Sequence, residues 1–274
     1  MEQPIKIRQA SLDKKAIQAL ILDMDGVLWR GNEAIGDLHA IFERITSAGW
    51  KVIFATNNGS RTIGQYVDLL DTFGVHAKPG QVITSAIAAA EYLCDKFPAG
   101  GPVFIIGEQG ILDACNEYGF YQSELDALAV IVGIDRKLTY DKLKTATLLI
   151  RSGVPFIGTN PDKTFPTPQG LVPGAGAILA AIETATGVAP IIVGKPEPAM
   201  YRIALERLDI PAQAVLVVGD RPETDIAGAQ VIGCSTALVL SGVTDAEQAR
   251  QWQPAPDIIA SDLESLISLV GTKA

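Results

Sequence analysis

Histidine is nearly absent from this chain of 274 residues. Only His39 and His76 occur, and neither lies beside a residue that could serve as a nucleophile. Catalysis by a Ser–His or Cys–His pair, and a zinc site built from histidine, are therefore poor interpretations of this sequence. Any chemistry has to depend on carboxylates, lysine and backbone groups.

Cysteine is also scarce. The three cysteines are Cys94, Cys115 and Cys234, and their spacing matches no metal-binding pattern. Because three cysteines cannot all pair, we predict that they serve as small apolar side chains in a reducing cytoplasm. A redox role is the alternative interpretation.

Clusters of positive charge and long apolar segments are missing as well. The 22 Lys and Arg residues and 31 Asp and Glu residues give a net charge of −9, and there is no basic run. Binding to nucleic acid or to a membrane surface is therefore not expected as the main function. The apolar run Ala19–Leu22 ends at Asp23, and Met1–Ala16 is mixed and charged. We expect a soluble, cytoplasmic protein with no targeting signal or membrane span.

The chain does contain a regular alternation of apolar and amphipathic segments. Apolar residues make up 48% of it and charged residues 19%, which is enough to bury a core. Near-continuous apolar runs predict strands covered on both faces, at Ala19–Leu22, Lys51–Ala55, Val103–Ile106, Ala129–Ile134, Pro155–Gly158, Ile191–Val193, Ala214–Val218 and Ser235–Leu240. Amphipathic segments predict helices at Asp37–Ala48, Thr62–Phe73, Ser85–Lys96, Tyr140–Ser152, Ala175–Thr186 and Pro198–Leu208. This order favours an α/β fold with a parallel sheet.

Three of the predicted strands run directly into polar residues. These residues are Asp23 and Asp25 after the first strand, Thr56, Asn57 and Asn58 after the second, and Asp220 followed by Asp225 after the strand ending at Val218. Ligands of open parallel sheets bind beyond the carboxyl ends of strands, so four carboxylates are expected in one crevice. Carboxylates gathered in this way repel each other unless a cation is bound. Oxygen ligands of this kind suit Mg²⁺, whose charge would also make a phosphorylated substrate compatible with an acidic protein.

Calcium is the competing interpretation of these aspartates. The segment Asp23-x-Asp25-Gly26 resembles part of a calcium-binding loop. Such a loop needs a further ligand soon afterwards, whereas Val27–Trp29 is apolar and a predicted strand comes before Asp23. The sequence therefore favours magnesium.

A lysine follows another predicted strand. Lys195 lies between Gly194 and Pro196, where the chain leaves Ile191–Val193 and opens a helix. In this position it could neutralise a nucleophile and an incoming phosphate as a point charge. The alternative is a solvent-exposed loop lysine.

Four of these segments occur in an order that points to a known family: Asp23-x-Asp25-Gly26, Thr56-Asn57-Asn58, Lys195-Pro196 and Gly219–Asp225. Together they resemble the four motifs of the haloacid dehalogenase (HAD) superfamily. Gly158–Asp162 and Leu240–Val243 further resemble its subfamily IIA, the NagD- and 4-nitrophenylphosphatase-like enzymes with an inserted C2-type cap. The resemblance extends over most of the chain, from Leu20 to Val243.

The resemblance implies a Rossmann-like parallel-sheet core and a covalent phosphatase mechanism. Asp23 would attack phosphorus to form an aspartyl-phosphate. Asp25 would protonate the leaving group and then activate water, and Lys195 would be the third catalytic residue. Because the dehalogenases of the superfamily lack the aspartate at position 25, its presence here favours a phosphatase.

The resemblance also implies how the ligands would be held. Mg²⁺ would be bound by the Asp23 carboxylate, the Asp25 backbone carbonyl and Asp220, and Asp225 would orient either water ligands of the ion or Lys195 without binding the ion itself. The residues expected to bind phosphate or substrate are Thr56, Asn57, Asn58, Lys195, Asn160 and Asp162.

The segment between the second and third motifs is far longer than a simple crossover. We predict that residues 81–188 form an inserted α/β cap domain and that residues 1–80 and 189–274 form the catalytic core. Caps of this subgroup often mediate dimers, so the resemblance also allows a homodimer.

Within the cap, Asn160–Pro173 is predicted as a loop that faces the active site. The side chains it would present are those of Asn160, Asp162, Lys163 and Phe165. The alternative is a surface turn rich in proline and glycine.

The substrate is expected to be a small phosphorylated metabolite, and these residues do not narrow it further. Sugar phosphates, phosphoglycolate, pyridoxal phosphate and nucleoside monophosphates all stay open. Two other functions use the same fold: a phosphotransferase that shares the aspartyl-phosphate, and a sensor that binds a phosphorylated metabolite without turnover. The intact set Asp23, Asp25, Lys195 and Asp220 disfavours the sensor.

Overall fold

The computed structural model describes residues 17–167 and 170–271, so the prediction that Met1–Ala16 carries no targeting signal lies outside the described residues. The chain folds as two compact units. The first comprises residues up to Thr56, Val67–Val82 and residues from Tyr201 onward; the second comprises Asn57–Tyr66 and Ile83–Met200. The assignment of residues 81–188 as a cap domain stays a prediction.

The strands, numbered in chain order, are β1 (Ala19–Leu22), β2 (Trp29–Arg30), β3 (Glu33–Ala34), β4 (Lys51–Thr56), β5 (Val82–Thr84), β6 (Gly101–Ile106), β7 (Phe120–Gln122), β8 (Val130–Val132), β9 (Phe156–Gly158), β10 (Thr164–Thr167), β11 (Gly170–Pro173), β12 (Ile191–Ile192), β13 (Val215–Gly219), β14 (Ser235–Val239) and β15 (Ile258–Ala260). The helices are α1 (Leu38–Ser47), α2 (Ile63–Thr72), α3 (Ser85–Lys96), α4 (Gln109–Glu117), α5 (Tyr140–Arg151), α6 (Ala175–Thr186), α7 (Ala199–Leu208), α8 (Ala227–Val231), α9 (Ala246–Gln251) and α10 (Leu263–Val270).

The first unit is built on a sheet in the order β15-β14-β13-β1-β4-β5. Of β5, only Val82 belongs to this unit. The pairs from β15 to β4 are all parallel. Counted along the chain this is the strand order 3-2-1-4-5-6 of Rossmann-like folds, and it confirms the predicted α/β class. The order reverses between β1 and β13, and the reversal point is where such sheets bind ligands. Every residue of β1 is buried, as expected for a strand covered on both faces.

The second unit has its own parallel sheet, in the order β12-β9-β8-β6-β7. Its chain order corresponds to 2-1-3-4-5, the other common doubly wound arrangement. Apolar side chains from β6, β8, β9, α5 and α6 form its core, including Phe104, Val130, Phe156 and Leu179. Helix α3 begins at a Thr84 cap whose hydroxyl oxygen accepts the Ile87 N–H, and α6 ends at Gly187 in a left-handed conformation.

The segment Asn160–Pro173 differs from the loop that we predicted. Strands β10 and β11 pair in antiparallel fashion, with Thr164 opposite Pro173. A two-stranded ribbon has open edges, which is where proline is tolerated in a strand. Proline and glycine in the sequence suggested a turn, but they are compatible with this hairpin; residues 168 and 169 at its tip lie outside the described residues.

Across the parts of the chain described, no helix combines the length and the apolar character needed to cross a bilayer.

Candidate active site

Asp23 follows directly on β1, at the point where the sheet order reverses. Its backbone N–H donates to the Val218 carbonyl oxygen at 2.8 Å, which ties it to the neighbouring strand β13. In register, Leu22 lies beside Val218 on one side and Phe54 on the other. The ends of three parallel strands therefore meet here, and Asp23 is only 8% exposed.

Three buried carboxylates lie together at this edge of the sheet. One oxygen each from Asp23, Asp220 and Asp225 lies within 4.8 Å of the others. Like charges at this separation repel strongly in a buried setting, so the arrangement favours a bound cation. The donor set consists of oxygen atoms, which is the set that hard divalent cations prefer. The structure thus brings together three of the four aspartates predicted from the strand ends.

Asp225 is held by backbone amides. A single turn of π-helix, Pro222–Ile226, returns its side chain towards the end of β13. There its Oδ2 accepts the N–H groups of Asp220 at 3.2 Å and Arg221 at 3.0 Å. A β-carbon on Gly219 would overlap the Asp225 side chain, so glycine is required at that position. With one oxygen already accepting two donors, Asp225 is well arranged to orient its neighbours.

Asp220 is fixed by the segment that follows β14. Its Oδ2 accepts the Val243 N–H at 2.8 Å, and its carbonyl oxygen accepts the Thr244 hydroxyl at 2.5 Å. Sequence reasoning gave no role to these two residues. A Ser-Gly-Val-Thr turn after a strand was the available signal, because Gly242 approaches Asp220 so closely that a β-carbon would overlap its carboxylate.

Asp25 has a different environment from the three clustered aspartates. Its Oδ1 accepts the indole N–H of Trp29 at 3.1 Å. Trp29 is fully buried, packs against Phe73 with ring centroids 5.9 Å apart, and accepts the Gly26 N–H at its carbonyl oxygen. The role of Trp29 was missed because an indole in an apolar run looks like ordinary core. The prediction that Asp25 binds the metal through its backbone carbonyl is untested.

In the second unit, Lys195 is buried, with 3% of its surface exposed, so it is not a solvent-exposed loop lysine. Its N–H donates to Asn57 Oδ1 at 2.8 Å, and its carbonyl oxygen accepts from Asn57 Nδ2 at 3.0 Å. Asn57 Nδ2 also donates to Asp162 Oδ2 at 3.2 Å, and Asn160 Nδ2 donates to the Asn57 carbonyl oxygen at 2.7 Å. Four residues predicted to bind phosphate or substrate therefore form one hydrogen-bonded cluster.

The remaining predicted residues lie close to these in the chain. Thr56 ends β4 and is buried. Asn58 Oδ1 accepts both the N–H and the hydroxyl of Ser60, a local turn that leads towards α2. Phe165, on β10, lies under the Arg136 guanidinium at 5.7 Å, and Lys163 is exposed. Their contacts with a ligand stay predictions.

The strand order and the carboxylate cluster at the β1–β13 reversal define a Rossmann-like α/β protein with an acidic centre suited to a cation. Residues 20–121 match the family model described as haloacid dehalogenase-like hydrolase, and residues 192–266 match a second, HAD-hydrolase-like model. An acid sugar phosphatase of Staphylococcus saprophyticus is 34% identical over 254 residues, which cover 92% of this chain and 98% of that relative. The chain belongs to the haloacid dehalogenase-like hydrolases, in subfamily IIA with the NagD- and 4-nitrophenylphosphatase-like proteins. The resemblance inferred from the four motifs is confirmed.

Solved structures show the same relationship. The 4-nitrophenylphosphatase of Thermotoga maritima is 32% identical, with a TM-score of 0.88, over 94% of this chain and 98% of that one. A glycerol phosphate phosphatase of Mycobacterium tuberculosis, in complex with magnesium, is 34% identical with a TM-score of 0.86, over 92% of this chain and 77% of that one. The chain is therefore similar over nearly its whole length to proteins named as phosphatases.

Proposed function

We propose that this chain is a magnesium-dependent phosphomonoester hydrolase that acts on small phosphorylated metabolites through an aspartyl-phosphate on Asp23. The observation that carries the proposal is the buried cluster of Asp23, Asp220 and Asp225 at the ends of β1 and β13. The names of the relatives support it, since they are an acid sugar phosphatase, a 4-nitrophenylphosphatase and a glycerol phosphate phosphatase.

Two aspartates carry the chemical steps in this proposal. The Asp23 carboxylate attacks phosphorus, a phosphorus–oxygen bond forms, and the bond to the leaving alkoxide breaks. Asp25 donates a proton to that alkoxide, and then accepts a proton from the water that hydrolyses the aspartyl-phosphate. Inorganic phosphate is released and Asp23 is regenerated. The indole N–H of Trp29 orients the Asp25 carboxylate for both transfers.

The donor set fits magnesium. Asp23 and Asp220 would hold the ion with their carboxylates and Asp25 with its backbone carbonyl, while Asp225 would keep Asp220 in place by accepting its backbone N–H. When bound, Mg²⁺ supplies positive charge that offsets the carboxylates and the phosphate oxygens. The magnesium complex of the M. tuberculosis relative supports this choice of ion.

The phosphate would be bound by the Thr56 hydroxyl, by backbone N–H groups of Asn57 and Asn58, and by the charge of Lys195. Positioned donors matter in phosphoryl transfer because negative charge spreads over the equatorial oxygens in the transition state. Asn160 and Asp162 would contact the rest of the substrate.

The test is phosphate release from 4-nitrophenyl phosphate and a panel of phosphorylated metabolites, with Mg²⁺ and with a chelator. Asp23→Asn should lose more than roughly 10³-fold in kcat, as is typical when a nucleophile is removed. Asp68→Asn, the same charge change at an exposed position of α2, is the matched control and should match wild type. Unchanged phosphate release by Asp23→Asn, or activity that a chelator does not reduce, would contradict the proposal. A transferase would release phosphate only weakly unless an acceptor is added.

A further inference from the structure

The side chain of Asn57 makes a two-point contact with the peptide backbone of Lys195. Its Oδ1 accepts the Lys195 N–H at 2.8 Å, and its Nδ2 donates to the Lys195 carbonyl oxygen at 3.0 Å. The two residues are 138 positions apart, and both are buried. The carboxamide thus pairs with both polar groups of one residue, much as a neighbouring strand would.

The second amide hydrogen of Asn57 is also used. It is donated to Asp162 Oδ2 at 3.2 Å. A carboxamide has only two N–H donors, so none is left for a phosphate oxygen. Both amide hydrogens of Asn57 are thus donated within the protein, so the phosphate-binding role proposed for Asn57 is assigned to its backbone N–H, which is not used in these contacts.

The surroundings leave Asn57 and the Lys195 peptide little room to move. The Asn57 carbonyl oxygen accepts the Ser85 hydroxyl at 2.6 Å and Asn160 Nδ2 at 2.7 Å. A β-carbon on Gly194 would lie 2.7 Å from Asn57 Oδ1, so glycine is needed for the backbone to approach this closely. Fixing the polar groups on both sides of the Lys195 Cα fixes the direction in which its side chain leaves the backbone.

We infer that Asn57 is a positioning residue that acts through Lys195, holding the lysine backbone so that its ammonium group is directed at the phosphate. The inference rests on the proposed function, in which Lys195 supplies a positive charge to the transferred group. Asp162 strengthens the arrangement, because a charged acceptor on the second N–H polarises the amide that holds the lysine carbonyl.

A double-mutant cycle tests this inference in the full-length protein. Asn57→Ala, Lys195→Met and the double variant would be compared by kcat and KM for 4-nitrophenyl phosphate and by the inhibition constant of orthovanadate. Asn57→Ala should lower kcat and weaken vanadate binding on the order of 10- to 100-fold, the usual effect of losing hydrogen bonds around a charged group. In the Lys195→Met background, the same change should have an effect below about threefold, because coupled residues are not additive.

Ser85→Ala is the matched control. It removes one buried hydrogen bond to the same residue, but from the Asn57 carbonyl oxygen, which keeps Asn160 as a partner. It should lower thermal stability while leaving kcat and vanadate binding near wild type in both backgrounds. If Asn57→Ala does not fold, Asn57→Asp keeps the size and the acceptor for the Lys195 N–H, loses both donors, and should show the same non-additivity.

The outcomes separate the two levels of the proposal. If Lys195→Met leaves kcat and vanadate binding unchanged, the lysine role in the proposed function is wrong. If Lys195→Met is strongly impaired and Asn57→Ala lowers kcat by the same factor in both backgrounds, the inference about Asn57 is overturned. If Asn57→Ala, like the Ser85→Ala control, only lowers thermal stability and leaves kcat and vanadate binding near wild type, the inference is overturned as well.

Discussion

Replacing Gly26 with alanine should displace the Asp220 carboxylate in the acidic centre. Gly26 has φ of +88°, a region that residues with a β-carbon rarely adopt, and a β-carbon there would lie 2.5 Å from Asp220 Oδ2 and 2.7 Å from its Cγ. No real β-carbon tolerates such distances to a fixed carboxylate, so Asp220 would have to move. Its hydrogen bond from the Val243 N–H would be strained in consequence.

Gly26→Ala should lower the free energy of unfolding for two reasons, and a control variant at a second glycine separates the two contributions. A left-handed alanine costs about 1–2 kcal/mol in conformational free energy, and overpacking a rigid contact costs typically about 1–3 kcal/mol more. Gly49 has φ of +76°, and a β-carbon added there would meet nothing within 4 Å, so Gly49→Ala carries only the first cost. The two variants should therefore differ by about 1–3 kcal/mol in the free energy of unfolding.

Urea unfolding with chelator, together with titration of activity against Mg²⁺, measures both effects. Gly49→Ala should keep the wild-type affinity for Mg²⁺, whereas Gly26→Ala should weaken it because it displaces the Asp220 carboxylate. We expect a loss of about tenfold or more, which corresponds to about 1.4 kcal/mol of binding free energy. Equal losses of unfolding free energy in the two variants, with equal affinity for Mg²⁺, would refute the view that Gly26 fixes Asp220.

Three further predictions concern the acidic cluster and the cysteines. At a Mg²⁺ concentration of 100 times Kd, the free energy of unfolding of wild type should be about 2.7 kcal/mol higher than in chelator. Thermal unfolding should show that Asp220→Asn loses most of this stabilisation by Mg²⁺. An undiminished stabilisation in Asp220→Asn would contradict the cation site. Burial raises the pKa of Cys115 and of Cys234 to about 12, so a thiol reagent at pH 8 should titrate only Cys94 before denaturation and all three cysteines afterwards. In the unfolded chain the Cys115 thiol ionises near its ordinary pKa of 9.0, so the free energy of unfolding should fall above pH 9. Cys115 alone should lower it by about 1.4 kcal/mol at pH 10. Urea midpoints that stay constant between pH 8 and 10 would contradict this prediction.

Much of the fold was predictable because the strands that matter are buried on both faces. Strand β1 and helices α3 and α6 have the predicted bounds, β4 extends one residue beyond its predicted end, and β13 is shifted by one residue at both ends. A continuous apolar run followed by a polar residue is a strong local signal, so Asp23 and Asp220 could be placed together from the sequence. The grouping follows from parallel strands on either side of a reversal point.

Other features depend on contacts between distant parts of the chain. Strands β2 and β3 have two residues each, too few for a period to be visible. Asn57 was predicted from its motif to bind phosphate, and only the tertiary structure shows its amide engaged by Lys195 and Asp162. A carboxamide in a motif can serve a ligand or another part of the protein, and sequence spacing does not distinguish the two.

Backbone N–H groups hold two of the three clustered carboxylates in place. Three buried carboxylates would move apart without a cation unless something else held them. Asp225 accepts two backbone N–H groups and Asp220 accepts a third from Val243, and hydrogen bonds to the ionised form stabilise it. These amides belong to segments anchored at the ends of β13 and β14, whose apolar residues are buried. Burial in the core therefore offsets part of the cost of gathering like charges, because the buried strands hold the amides that fix Asp220 and Asp225. It follows that truncating the buried apolar side chains of β13 should weaken cation binding as well as folding, even though none of these side chains belongs to the carboxylate cluster.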